Sequence, residues 1–206
     1  MPELKTNLRR PPKQDRSRDR VDEILGAAKR LIGEKGVDAV KMREIAAQAG
    51  GPISSVYQYF PNKSAIIATI YSEWSASIYQ LMLEKMQDVR SLEELFESII
   101  TVFHAYYDRI RLDPAIIDVL NAIQADKALK NIDVTETRMQ AGTFCEVARP
   151  WIAEERFEAF QRITFLMFQL ANGAVRLALA VDPDEARAII DDYKTLIHDQ
   201  LMGFAR

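Results

Sequence analysis

The chain has 206 residues, 48 % of them hydrophobic and 28 % charged, with a net charge of −3, which is ample apolar content for a core beneath a charged surface. Its first twenty residues are polar and basic, which argues against a secretory leader, and no apolar run approaches the roughly 18 residues of a membrane span. A single cysteine, Cys145, rules out an intrachain disulfide, so the expected setting is the cytoplasm with no membrane partner.

The modest net charge conceals an asymmetry. Residues 1–63 carry 13 Lys and Arg against 8 Asp and Glu, a net of +5, whereas residues 64–206 carry 14 against 22, a net of −8. A basic end joined to an acidic remainder suggests that only the N-terminal part meets a polyanion. Seven of the positive charges precede Val21 in a Pro-containing stretch, and a solvated tail explains those equally well.

Apolar residues recur at helical spacing almost everywhere, and no convincing alternating strand occurs. Val21, Ile24, Leu25, Ala28, Leu31 and Ile32 define a first helix from about Ser17 to Glu34, stopped by Gly36. Met42, Ile45, Ala46 and Ala49 give a short second helix, closed by Gly50-Gly51. Ile53, Val56, Tyr57 and Phe60 give a short third, which Pro52 opens and Pro61 ends. Asn62 is the expected N-cap of a longer helix carrying Ile67, Ile70, Trp74, Ile78 and Leu81.

Ser91 with Glu94 fits a capping box that opens a helix through Ile110. Asp113-Pro114 starts a short helix through Ile123, and a more polar helix runs from about 126 to 148. Residues 154–181 form the most apolar helix, expected to need cover on every side, and Asp182-Pro183 separates it from an amphipathic helix reaching about Phe204. The predicted fold is all-α with about nine helices: an N-terminal three-helix helix-turn-helix domain over residues 1–63, with a basic N-terminal arm, and a C-terminal helical bundle over 64–206.

The helix pair in residues 41–60 carries the function. Its second helix has an inward edge (Val56, Phe60) and an outward edge (Ser54, Ser55, Gln58), the layout in which one helix crosses the phosphates and the next enters the major groove. Gln pairs bidentately with adenine and Ser bonds either partner; Tyr57, Tyr59 and Lys63 flank the edge within reach of phosphates. An ordinary helical hairpin with a wet polar face is the competing reading. Candidate DNA contacts are Lys41, Arg43, Ile53, Ser54, Ser55, Tyr57, Gln58, Tyr59 and Lys63.

The strings Ile24-Leu25-Gly26-Ala27-Ala28, Glu34-Lys35-Gly36, Arg43-Glu44-Ile45-Ala46, Ala49-Gly50 and Val56-Tyr57-Gln58-Tyr59-Phe60-Pro61-Asn62-Lys63 closely resemble the TetR family of bacterial regulators. There are departures. Lys41 stands where that family usually has a capping Thr or Ser, Gly51-Pro52 replaces the usual Val-Ser, and Ser54 takes the place of a frequent Gly. The resemblance implies a repressor that binds a palindromic operator in double-stranded DNA as a homodimer and leaves it when a small-molecule effector binds. It also implies that the C-terminal part dimerises and houses the effector; the apolar residues of about 154–204 are the expected dimer surface, with a monomer that buries both helices as the alternative.

For a mainly apolar effector the candidate residues are Trp74, Phe103, His104, Tyr107, Gln124, Phe144, Phe168, Asn172 and Arg176; an aromatic at helical spacing is more often plain core than ligand wall. Asn172 and Arg176 lie one turn apart on an otherwise apolar helix, placed to meet a ligand or to bond across a dimer. Catalysis has little support: His104 and His198 are far apart, Cys145 has no base near it in sequence, and neither a phosphate loop nor a zinc spacing occurs. No catalytic residue, metal ligand or cofactor is expected.

Overall fold

The computed structural model describes residues 15–127 and 129–205, and these are helical nearly throughout. In chain order the helices are α1 (Asp15–Ala39), α2 (Met42–Gln48), α3 (Ile53–Tyr59), α4 (Lys63–Lys85), α5 (Leu92–Leu112), α6 (Pro114–Ala125), α7 (Lys130–Ala148), α8 (Glu154–Ala178) and α9 (Pro183–Met202), with a single 3-10 turn at Arg149–Trp151. Among the described residues the only extended pairing is an isolated bridge between Ile152 and Ala205. The all-α expectation holds.

Local chemistry sets the boundaries. Hydrogen bonding carries α1 to Ala39, but Gly36 breaks it with φ 77° and ψ 160°, a conformation almost confined to glycine. Gly50, at φ 70°, turns the chain between α2 and α3. Asn62 Oδ1 accepts from the Ala65 N–H at 2.9 Å, capping α4 as its sequence position suggested. Ser91 Oγ accepts from the Glu94 N–H at 3.1 Å, while the Glu94 carboxylate reaches one residue further back than a capping box requires, to the Arg90 N–H. α7 begins at Lys130, four residues later than the sequence pattern placed it. Asp182 caps α9, accepting from Asp184 and Glu185.

The described residues fall into two compact units: the chain up to Ala76 with Asp113–Asp133, and Ser77–Leu112 with Val134 onward. This is a different cut from the boundary expected after residue 63, since α6 and the first half of α4 group with α1–α3.

In the first unit α1 packs on α6 and on α2, and α2 packs on α3. Ile24, Ile45, Val56 and Phe60 are wholly buried. Lys29 pairs with Asp113 at 2.8 Å, tying α1 to the start of α6. In the second unit α8 and α9 form the principal helix pair. Tyr193 of α9 donates to the Met167 carbonyl of α8, and burial pushes its phenol above the usual range. Cys145 is buried in this unit, where desolvation pushes its thiol up to about 11.

Candidate nucleic-acid interface

Seven residues of α3 present two faces. Val56, with Phe60 just past the helix end, is fully buried, so the opposite side must face outward. Ile53, Ser54, Tyr57 and Gln58 are exposed there, at positions i, i+1, i+4 and i+5, which a helix gathers into one strip. Ile53 and Tyr57, both 41 % exposed, are large apolar side chains left open beside a hydroxyl and an amide. A thymine methyl suits the first pair, and base-edge donors and acceptors suit the second. Lys41 and Arg43, at the start of α2, are also exposed and complete a set of six candidates.

The other three candidates have protein partners. Lys63 Nζ donates to the carbonyls of Val37 at 2.6 Å, Val40 at 3.1 Å and Asp38 at 3.4 Å. Its three protons thus meet carbonyls of the last residues of α1 and of Val40 just beyond it. Ser55 Oγ accepts from Arg20 Nη2 at 2.9 Å and donates to the Pro52 carbonyl at 2.8 Å, so it serves the turn and not the outward edge. Tyr59 accepts from Ser17 Oγ at 3.2 Å and is half-buried, retaining its own proton for an outer acceptor.

Arg20 was missed in the sequence. It sits four residues before Ile24, so a polar group on the core-facing stripe of α1 was the available signal. At the start of α2 the Lys41 N–H donates to Glu44 Oε2 at 2.9 Å and Lys35 Nζ pairs with Glu44 Oε1 at 2.7 Å. The Lys35 hydrogen bond, and after it the Lys41 N–H, hold the Glu44 carboxyl below its ordinary value. The basic N-terminal arm, up to residue 14, lies outside the described residues.

The effector candidates divide between the units. Trp74 and Gln124 belong to the first, where the Trp74 ring stands 6.3 Å from that of Tyr71 and Gln124 Nε2 donates to Asp133 Oδ2 at 2.7 Å. The rest belong to the second unit. Phe144 lies between Phe160 and Phe168, and Phe103 packs on Tyr193 at 5.0 Å; both are buried. Asn172 Oδ1 accepts from the Tyr106 hydroxyl. Tyr107 is half-buried, and His104 and Arg176 are exposed.

The chain itself covers one side of α8, and any further cover falls to a partner, as the sequence reading allowed. Its buried stripe runs through Phe157, Phe160, Thr164, Met167, Val175 and Ala178, while Leu166, Leu170 and Leu177 are 45–53 % exposed on another face. Among the described residues, no group of three or more His, Cys, Asp or Glu stands where it can hold a metal ion, and no helix is long and apolar enough to cross a membrane.

Comparison with known proteins agrees with this fold. The family described as bacterial regulatory proteins, tetR family, matches residues 24–72, and a tetracyclin repressor-like C-terminal domain matches residues 90–205. An uncharacterised HTH-type transcriptional regulator of Mycobacterium tuberculosis is 32 % identical over 109 residues, which is 52 % of this chain and 54 % of that protein. The chain thus spans about half the length of the curated relatives it matches. SmeT, the repressor of the multidrug efflux pump SmeDEF of Stenotrophomonas maltophilia, superposes with a TM-score of 0.67 at 17 % identity over 90 % of each chain. The fatty acid degradation regulator FadR of Bacillus halodurans gives a TM-score of 0.67 at 15 % identity over 90 % of this chain and 96 % of that one. With family matches over both its helix-turn-helix and the greater part of the remainder, the chain belongs to the TetR family of bacterial transcriptional regulators.

Proposed function

We propose that the protein is a transcriptional repressor that reads a roughly palindromic operator as a homodimer and is released by a small, mainly apolar effector. The observation that carries the reading is the outward strip of α3, on which Ile53, Ser54, Tyr57 and Gln58 stand exposed while Val56 is wholly buried. Lys41 and Arg43 supply nearby positive charge for the phosphates, and residues 1–63 are the DNA-binding part. Selection from random duplexes should return an enriched palindromic motif, and its affinity should fall steeply between low and moderate salt as counterions are released. Recovery of no motif would end the proposal.

Two observations support the finer parts. Leu166, Leu170 and Leu177 fall on one face of α8, and Leu196 is left exposed on the adjoining α9, within the 154–204 segment assigned to dimerisation. A second copy covers such a stripe economically, and helix-turn-helix proteins commonly bind paired half-sites. For the effector, the support is that SmeT, of similar fold, is known in complex with triclosan. A thermal-shift screen of apolar compounds followed by DNA binding tests this part; ligands that stabilise the protein yet never alter its DNA affinity would refute it.

A further inference from the structure

Helix α3 begins without the side-chain cap that a short helix ordinarily uses. Its N-cap residue is Pro52, which offers no side-chain acceptor to the first N–H groups. The guanidinium of Arg20 reaches across from α1 to the turn before α3; carrying donors only, it ties that turn down without capping the N–H groups of α3. Nη1 donates to the Ala49 carbonyl, at the C-terminal end of α2, where a cation is favoured. Nη2 donates to Ser55 Oγ at 2.9 Å, in the first turn of α3, and Glu23 balances the charge at 2.7 Å from Nη1. Ser55 passes the restraint on to the Pro52 carbonyl at 2.8 Å. One planar group thus joins α1, the end of α2 and the start of α3.

Gly51 makes room for it. A Cβ built there would collide with Arg20 Nη2, lie 3.1 Å from Cζ and stand 3.3 Å from Ser55 Oγ. Gly51 has no left-handed φ, so its smallness, not its backbone freedom, is what the site uses. The obstructed atoms belong to the far end of a flexible side chain, so an alanine at 51 evicts the guanidinium without breaking the turn.

We infer that Arg20 and Gly51 together form a latch that sets the angle of α3, making Arg20 a positioning residue for base recognition rather than a phosphate contact. The inference rests on the proposed role of α3 as the DNA-reading helix. The forked geometry is essential to it: a guanidinium presents donors on two nitrogens held in one rigid plane, whereas a lysine ammonium carries all its donors on a single atom at the end of a flexible stem.

The test uses the full chain carrying Arg20→Ala, Arg20→Lys, Gly51→Ala and the Arg20→Ala/Gly51→Ala pair. Each is measured for affinity to the selected duplex, for discrimination against single-base variants, for salt dependence, and for urea stability. Gly51→Ala and Arg20→Ala should each reduce discrimination about tenfold, and the pair should lose no more than either alone, because both remove one interaction. Arg20→Lys should fail like Arg20→Ala while the salt slope stays unchanged in all four. Additive losses, or rescue by lysine with a slope reduced by about one in Arg20→Ala, would overturn the latch and make Arg20 a phosphate contact. If the parent chain selects no duplex, the DNA reading falls on its own, and the latch is then judged by the urea data: stability losses that are non-additive between positions 20 and 51 uphold it, and additive ones reject it.

Discussion

Lys63 illustrates how a side chain's partners decide its role. An ammonium within reach of three carbonyls replaces water with fixed acceptors at the close of α1, an arrangement that orders the path into α2. Lys63→Ala should therefore lower folding stability by about 1.5–3 kcal/mol, the range for hydrogen bonds to a charged group, and leave the salt dependence of DNA binding unaltered. A slope reduced by about one with unchanged stability would return the ammonium to the phosphates. Glu44 gives a pH-dependent counterpart. Its carboxyl titrates below the ordinary 4.5 in the folded protein, so its stabilising contribution is complete above that value and is lost as pH falls through the lower folded value. Urea titrations from pH 6 downward should show Glu44→Gln losing less stability than the parent below about pH 4.5; parallel curves would mean that Lys35 contributes nothing there.

At the scale of elements, Gly36 is the sharpest determinant. Alanine there would be forced to φ 77° and ψ 160°, so Gly36→Ala should cost on the order of 1–3 kcal/mol, with thermal melting as the measure. Cost within error would show that the chain can leave α1 in another way. Helices were legible because burial repeats with the helical period, as in Ile24, Ala28 and Ile32, and because Gly36, Asn62 and Asp182 announce ends through local chemistry. The outward strip of α3 was legible for the same reason. What could not be read were partners brought in from other helices: Arg20 to Ser55, Ser17 to Tyr59, Lys63 to Val37. These pairs are separated by 26 to 42 residues, and spacing within one helix carries no trace of them. The exposed leucines of α8 escaped similarly, since the sequence showed an apolar helix but not which of its faces the chain itself covers.

For the whole molecule, the leucine stripe is the feature to challenge. Leu170 lies at 45 % exposure between Leu166 and Leu177, so glutamate there is harmless to a lone chain but would place an unpaired carboxylate inside the proposed helix-to-helix interface. Leu170→Glu should weaken self-association by at least about a hundredfold and sediment as a single chain with unchanged helix content. A variant that still sediments as a dimer would move the contact to another surface.

Cys145 is 1 % exposed with its thiol pushed up to about 11, so at neutral pH the reactive thiolate is both scarce and sealed away. The native chain is therefore already a silent background for site-specific labelling. Maleimide should leave the folded protein unmodified and react only once it is unfolded; rapid modification under native conditions would mean that the core around α7 opens. With Gln58→Cys, the single reactive sulfur would then report from the outward strip of α3. Spin labels placed there would turn a self-associated pair of chains into its own molecular ruler, reading directly how far apart the two copies of α3 stand.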